Sequence, residues 1–200
     1  MAAPIEFYFD FSSPFGYLAS EKIDQLAAKY GREVVWRPFL LGAVFKITGG
    51  MPTIEVPIKA DYYKRDFPRS ARYFGVAYRQ PSAFPMNSLA PSRAFYWLDA
   101  KDPARARQLA QALYRAYFVD DVDISSAENT IAVAAKMGLD ADAVRAGMSD
   151  AAVKDRTRAE VEKAIAKGVF GSPYIIVDGE PFWGSDRLDQ VDKWLATGGW

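Results

Sequence analysis

Ile5-Glu6-Phe7-Tyr8-Phe9-Asp10-Phe11-Ser12-Ser13-Pro14-Phe15-Gly16-Tyr17-Leu18 is the stretch on which the fold turns. Its first half alternates loosely, is crowded with aromatic rings and stops at Ser-Ser-Pro, as a buried strand does. Its second half opens a run in which Phe15, Leu18, Ala19, Ile23, Leu26, Ala27 and Tyr30 recur at intervals of three and four before Gly31. That spacing predicts one amphipathic helix, with a serine as N-cap, Pro14 at the first helical position and Gly31 just past the end. Glu33-Val34-Val35-Trp36-Arg37-Pro38 then reads as a second strand, stopped by proline. A strand–helix–strand unit takes a right-handed crossover and leaves its two strands parallel.

Strand grammar returns only near the C-terminus. Ser172-Pro173-Tyr174-Ile175-Ile176-Val177 is a short buried strand, Asp178-Gly179 a hairpin turn, and Glu180-Pro181-Phe182-Trp183 its partner. Gly184-Ser185-Asp186 leads into a helix with Leu188, Val191, Trp194 and Leu195 on one face. Between the two blocks the sequence predicts helices over 59–74, 88–100, 103–118, 126–137 and 150–167. Ser125, Ser126, Asp102 with Pro103, and Asp150 mark their starts, and Gly75, Gly138 and Gly168 their ends. Residues 49–53 and 79–91 are the main irregular connections. The expected architecture is α/β: a thioredoxin-like four-stranded mixed sheet with a large all-helical insertion. Residues 1–40 and 168–200 would form the thioredoxin-like domain, and 41–167 the helical insertion subdomain.

Composition closes many routes to chemistry. With no Cys and no His there is no thiolate nucleophile, no imidazole base, no disulfide and no common zinc ligand set. No metal is expected. Lys plus Arg and Asp plus Glu both number 25, so no global charge draws the chain to nucleic acid or an anionic membrane. Met1-Ala2-Ala3-Pro4-Ile5-Glu6 lacks the basic flank and apolar run of a leader, and no apolar stretch is long enough to span a bilayer. The expectation is a cytoplasmic protein without nucleic-acid or membrane partners.

Three motifs could carry function. Ser13-Pro14-Phe15-Gly16 stands where thioredoxin-like oxidoreductases carry Cys-x-x-Cys at a helix N-terminus. Ser13 is either a helix cap or the holder of a thiolate that a ligand brings, and Ser12 could be the cap instead. Pro173, entering a strand after Gly171-Ser172, is a candidate cis-proline; such a peptide offers the Ser172 N–H and C=O to an extended peptide ligand. Proline at a strand start is the plainer reading. In Trp183-Gly184-Ser185-Asp186-Arg187, the turn could bind a carboxylate through backbone N–H groups while Asp186 takes an ammonium; Ser185 as a simple cap is the alternative.

In this order and spacing the motifs resemble the 2-hydroxychromene-2-carboxylate isomerase family, kin of kappa-class glutathione transferases within the DsbA-like branch of the thioredoxin superfamily. Phe7-Tyr8-Phe9-Asp10-Phe11-Ser12-Ser13-Pro14-Phe15 and Phe182-Trp183-Gly184-Ser185-Asp186-Arg187-Leu188 carry the resemblance, with looser matches at Lys59–Asp66 and Phe84–Leu89. An Asn that some members place just before the Lys59 segment falls here at Thr53 or Ile54. The resemblance implies glutathione as cofactor, and a thioredoxin-like site without Cys must import its sulfur. By carry-over, Ser13 would hydrogen-bond the glutathione sulfur, Ser172 and Pro173 would pair with the cysteinyl backbone, and Trp183, Gly184, Ser185 and Asp186 would hold the γ-glutamyl end.

It further implies an isomerase of aromatic catabolism, acting as a homodimer on a small aromatic carboxylate. Such a substrate needs a cation. The basic run Lys59, Lys64, Arg65, Arg69 and Arg72 reads mainly as a solvated helix face, and Lys59 is the first choice from it, with Lys46 second. Asn87 and Ser88 are loop caps, or face the substrate in the family picture. The competing readings are a kappa-like glutathione transferase and a non-catalytic glutathione-binding module on a degenerate oxidoreductase scaffold.

Overall fold

The computed structural model describes residues 3–200; Met1 and Ala2, which begin the segment read for a leader, lie outside the described residues. Four strands form one sheet in the order β2-β1-β3-β4: β1 (Ile5–Phe9), β2 (Val34–Pro38), β3 (Tyr174–Val177) and β4 (Glu180–Trp183). β1 runs parallel to β2, with Phe7 opposite Trp36, and antiparallel to β3, with Phe7 opposite Ile175. The β3–β4 hairpin turns on Asp178 (φ 52°) and Gly179 (φ 92°), two left-handed residues of the kind a two-residue turn requires. The mixed four-stranded sheet expected from the two distant blocks is present.

The one helix expected after β1 is two, α1 (Pro14–Ser20) and α2 (Ile23–Ala28). The break falls where Ser20 donates its hydroxyl back to the Tyr17 carbonyl at 2.7 Å, a bond that weakens the helical ladder. Seven helices lie between β2 and β3: α3 (Leu41–Thr48), α4 (Lys59–Phe74), α5 (Leu89–Asp99), α6 (Pro103–Phe118), α7 (Ala127–Lys136), α8 (Ala141–Ser149) and α9 (Ala151–Ala166). The chain ends with α10 (Leu188–Thr197). The sequence reading contained neither α3 nor α8. No helix among the described residues is long and apolar enough to cross a membrane.

Alternation along β1 decides how sheet and helices join. Ile5, Phe7 and Phe9 are fully buried on one face, where Phe9 meets Phe95 of α5 at 6.1 Å and Tyr114 of α6 at 5.7 Å between ring centres. Tyr8 points to the other face and packs with Val161 and Ala164 of α9. Each such ring, fully buried, contributes about 1.5–3 kcal/mol, so the insertion is fastened to the sheet from both sides. At the end of β1, where the candidate motifs gather, the Leu41 N–H of α3 reaches the Asp10 carboxylate at 2.7 Å.

Candidate active site

Ser13 is the N-cap of α1, with extended backbone (φ −90°, ψ 116°). Its hydroxyl accepts the Gly16 N–H at 3.1 Å and donates to the Ser172 carbonyl at 2.9 Å. Between the two serines, the cap is Ser13: the Ser12 N–H and hydroxyl both go to Asp10 Oδ1 at 2.7 Å. Gly16 is needed for this approach, because a Cβ there would lie 2.6 Å from Ser172 Oγ and 2.8 Å from the Tyr114 hydroxyl. The Ser172–Pro173 peptide is cis. Ser172 Oγ in turn accepts the Asp10 N–H at 2.9 Å, so the end of β1 and the entry to β3 are stitched together at Ser13.

Asp10 lies beneath this pair and is 2% exposed. Its Oδ2 accepts the Leu41 N–H at 2.7 Å, and the Ser88 hydroxyl stands beside the carboxylate. Burial pushes its carboxyl above the ordinary carboxylate range, and the Ser12, Leu41 and Ser88 donors only partly oppose that rise. The Tyr114 hydroxyl donates to the Asp10 carbonyl at 2.9 Å, and burial likewise raises that phenol well above its usual value.

The third motif lies across from Ser13. Gly184 has φ 112° and leads into a 3-10 turn at Ser185–Arg187 in which Ser185 is buried. Trp183 lays its indole over Gly171, where a Cβ would meet Nε1 at 2.1 Å. Asp186 is paired with its neighbour Arg187 at 3.2 Å and remains open to solvent.

A cleft of about 870 Å³ unites these pieces; Ser13, Ser172, Trp183, Gly184, Ser185 and Asp186 all line it. Pro173 stands behind the lining. The opposite wall comes from α3, the 51–53 segment and α4, whose Phe67 meets Phe15 of α1 and Phe84 of the connection before α5 edge to face at 5.2 and 6.1 Å. Thr53 lines the cleft and Ile54 does not. Lys46, Lys59, Asn87 and Ser88 are also outside the lining: the first three are exposed, and Ser88 is buried beside Asp10. Asn87 accepts the Leu89 N–H at 2.9 Å.

The cations that do line the cleft are Arg69 and Arg187, with Arg69 held by Asp66 and, at 3.0 Å, by the Tyr62 hydroxyl. Sequence reasoning passed over Arg69 although Tyr62, Asp66, Arg69 and Tyr73 share one helical stripe. Asp10 and Leu41 were missed as well, since their bond joins residues 31 apart and leaves no local signal.

A buried serine hydroxyl at a helix start, a strand-entry peptide and a carboxylate thus face one cleft. Residues 4–196 match the DsbA-like thioredoxin domain. The chain belongs to that family. Within the DsbA-like family it is 32% identical to a 2-hydroxychromene-2-carboxylate isomerase of Sphingobium xenophagum, over 98% of this chain and 99% of the relative. It is 28% identical to glutathione S-transferase kappa 2 of Caenorhabditis elegans, over 96% of this chain and 91% of that one. A solved 2-hydroxychromene-2-carboxylate isomerase superposes with a TM-score of 0.87 at 28% identity, covering 97% of this chain and 95% of the other. These relatives support an isomerase on a DsbA-like fold that acts on a small molecule.

Proposed function

We propose that this protein is a glutathione-dependent isomerase of the 2-hydroxychromene-2-carboxylate to trans-o-hydroxybenzylidenepyruvate type. The observation that carries the reading is the convergence of Ser13, Ser172 and Asp186 on one cleft in a chain that has no cysteine. The residues fit the tripeptide. The Ser172 N–H finds no acceptor among the described residues, and the cleft volume suits a ligand of that size. Bound glutathione would supply a thiolate for reversible addition to a conjugated carbon, which frees a double bond to rotate before elimination.

The protein's part is to hold and orient. Ser13 carries one hydroxyl proton, and it points at the Ser172 carbonyl. A ligand amide N–H that pairs with that carbonyl releases the proton to turn toward sulfur, so backbone docking and thiolate stabilisation become one event. Asp186 would take the γ-glutamyl ammonium beside the Ser185 turn, with Trp183 and Gly184 shaping that end, and Ser172 with Pro173 would meet the cysteinyl backbone. The aromatic wall at Phe15, Phe67 and Phe84 suits a planar substrate, and Arg69 is the cation placed to meet its carboxylate, with Lys46 and Lys59 farther out. A homodimer and a cytoplasmic setting belong to the same reading and rest on the family resemblance.

Calorimetry with glutathione is expected to show binding at or below millimolar concentration; no heat at millimolar glutathione would remove the cofactor. A transferase is the second reading, favoured by the full-length likeness to a kappa enzyme. Mass balance separates them. Total free glutathione stays constant while an isomerase turns over, and falls in step with product for a transferase.

A further inference from the structure

Asp10 is the most buried carboxylate among the described residues, and hydroxyl and amide groups, with no cation, surround it. Ionised groups without a partner are costly to bury, so its retention at the base of the cleft calls for a role. Its two oxygens have separate obligations. Oδ1 takes the Ser12 N–H and hydroxyl, both at 2.7 Å, and Oδ2 takes the Leu41 N–H at 2.7 Å. Its main chain holds the rest of the site: the N–H goes to Ser172 Oγ and the carbonyl receives the Tyr114 hydroxyl, each at 2.9 Å.

We propose that Asp10 is the positioning residue of this site, setting the spacing between the Ser13–Ser172 pair and the α3 wall of the cleft and thereby how a ligand thiol is held. Ser13 has only the Ser172 carbonyl and the Gly16 N–H to define its hydroxyl, so whatever moves Ser172 or the Ser12 loop moves it too. Leu41 and Phe45 of α3 line the opposite wall, and the Leu41 N–H is where that wall is tied down. Only a carboxylate can serve both sides. Asn has a single carbonyl oxygen, so either orientation sets its amide NH2 against one of the two buried N–H donors. Asp10→Asn, conservative in shape, therefore releases either the serine loop or α3.

The same geometry provides a rescue. Leu41 is the first residue of α3, where proline is tolerated, and Leu40 before it is extended (φ −110°, ψ 105°), as a residue preceding proline must be. Leu41→Pro deletes the N–H that the Asn amide would oppose, leaving the Asn oxygen free for Ser12. The inference rests on the glutathione reading for its ligand only.

The test is the pH titration of bound glutathione thiolate absorbance in wild type, Asp10→Asn and Asp10→Asn/Leu41→Pro, with hydrogen exchange at the Gly16 amide of the ligand-free proteins. Asp10→Asn is expected to raise the bound thiol's pKa by about one unit, the equivalent of one hydrogen bond to a charged group. It should also cut turnover at pH 7 by about 10-fold or more and speed exchange at Gly16, and the double variant should recover most of each loss. Removing a nearby negative charge would by itself lower the thiol's pKa. A fall, or an unchanged titration in folded Asp10→Asn, overturns the proposal. If wild type binds no glutathione, the glutathione reading has failed; the Gly16 exchange rate then decides, and no change in it overturns the proposal. If Asp10→Asn does not fold, Ser88→Ala takes its place: it removes a hydroxyl beside the carboxylate without touching the cleft. The same directions at smaller size are expected, and wild-type values in both measurements overturn the proposal.

Discussion

Ser13 does two things with one oxygen, and the two can be separated. As a cap it accepts the Gly16 N–H, a contact worth about 1 kcal/mol to the fold. As a donor it holds one proton, directed at the Ser172 carbonyl in the ligand-free protein. Donation to a bound thiolate would favour the charged form and lower the thiol's pKa. Ser13→Ala is therefore expected to raise that pKa and slow turnover at neutral pH by roughly 10- to 150-fold, the kinetic equivalent of a lost hydrogen bond to a charged group. Part of the rate should return in alkali, which supplies the thiolate without help. Thermal denaturation alongside the titration completes the comparison. A loss of stability with an unmoved thiolate titration would leave Ser13 as a cap and nothing more.

At the scale of elements, α1 is pressed against Ser172 closely enough that only glycine fits at position 16. A methyl on Gly16 meets two atoms that are both hydrogen-bonded to Asp10, Ser172 Oγ and the Tyr114 hydroxyl. Overpacking of about 1–3 kcal/mol exceeds the gain of about 1 kcal/mol that Ala brings to a helix, so Gly16→Ala should lower the melting temperature and weaken glutathione binding. Gly42 in α3 has nothing within 4 Å of its would-be Cβ, and Gly42→Ala should raise stability by about 0.5–1 kcal/mol. The contrast in melting temperature is the check.

These helices also show what the sequence could reveal. The bounds of α4 and α6 were readable because local residues mark them: Gly75 is left-handed after α4, and Asp102 with Pro103 opens α6. α3 carries such a mark only at its end, where Gly49 is left-handed (φ 72°). Leu40 gives no side-chain cap, and Leu41-Gly42-Ala43-Val44-Phe45-Lys46-Ile47-Thr48 combines a glycine with three β-branched residues. Its N-terminal cap is the Asp10 carboxylate, far away in sequence. α8 is capped locally by Asp140, but Gly147 and the closeness of Gly138 break its pattern. The same reason divides the site residues. Ser13, Ser172 and Trp183–Asp186 sit at strand ends, where chain order alone brings them together. Which cation on α4 reaches the cleft depends on how that helix packs, and Arg69 stands there in preference to Lys59.

Across the whole molecule, the insertion is joined to the sheet by charge as well as by its aromatic core. Glu6 on β1 meets Arg37 of β2 at 3.0 Å and Lys167, just past α9, at 2.6 Å, and accepts the Tyr8 hydroxyl at 2.8 Å. Arg37 reaches on to Glu160 of α9 at 3.0 Å. Burial alone would raise the Glu6 carboxyl, but Lys167, Tyr8 and Arg37 together hold it below its ordinary value. A carboxyl that titrates lower in the folded state than in the unfolded one stabilises the fold at neutral pH. That contribution is lost as pH falls through the folded pKa. Asp10, at the other end of the same strand, acts with the opposite sign: its folded carboxyl titrates above the unfolded one, so its cost grows as pH rises through that interval. Glu6→Gln should cost up to about 1 kcal/mol at pH 7, since the cations it meets are partly solvated. The gap from wild type should close as the pH falls through the folded pKa of Glu6, which lies below its ordinary value. Urea unfolding midpoints at pH 7 and in acid read this directly. A gap that stays constant across that range would mean that Glu6 contributes by packing alone, and that the aromatic core without the ion pairs holds α9 to the sheet.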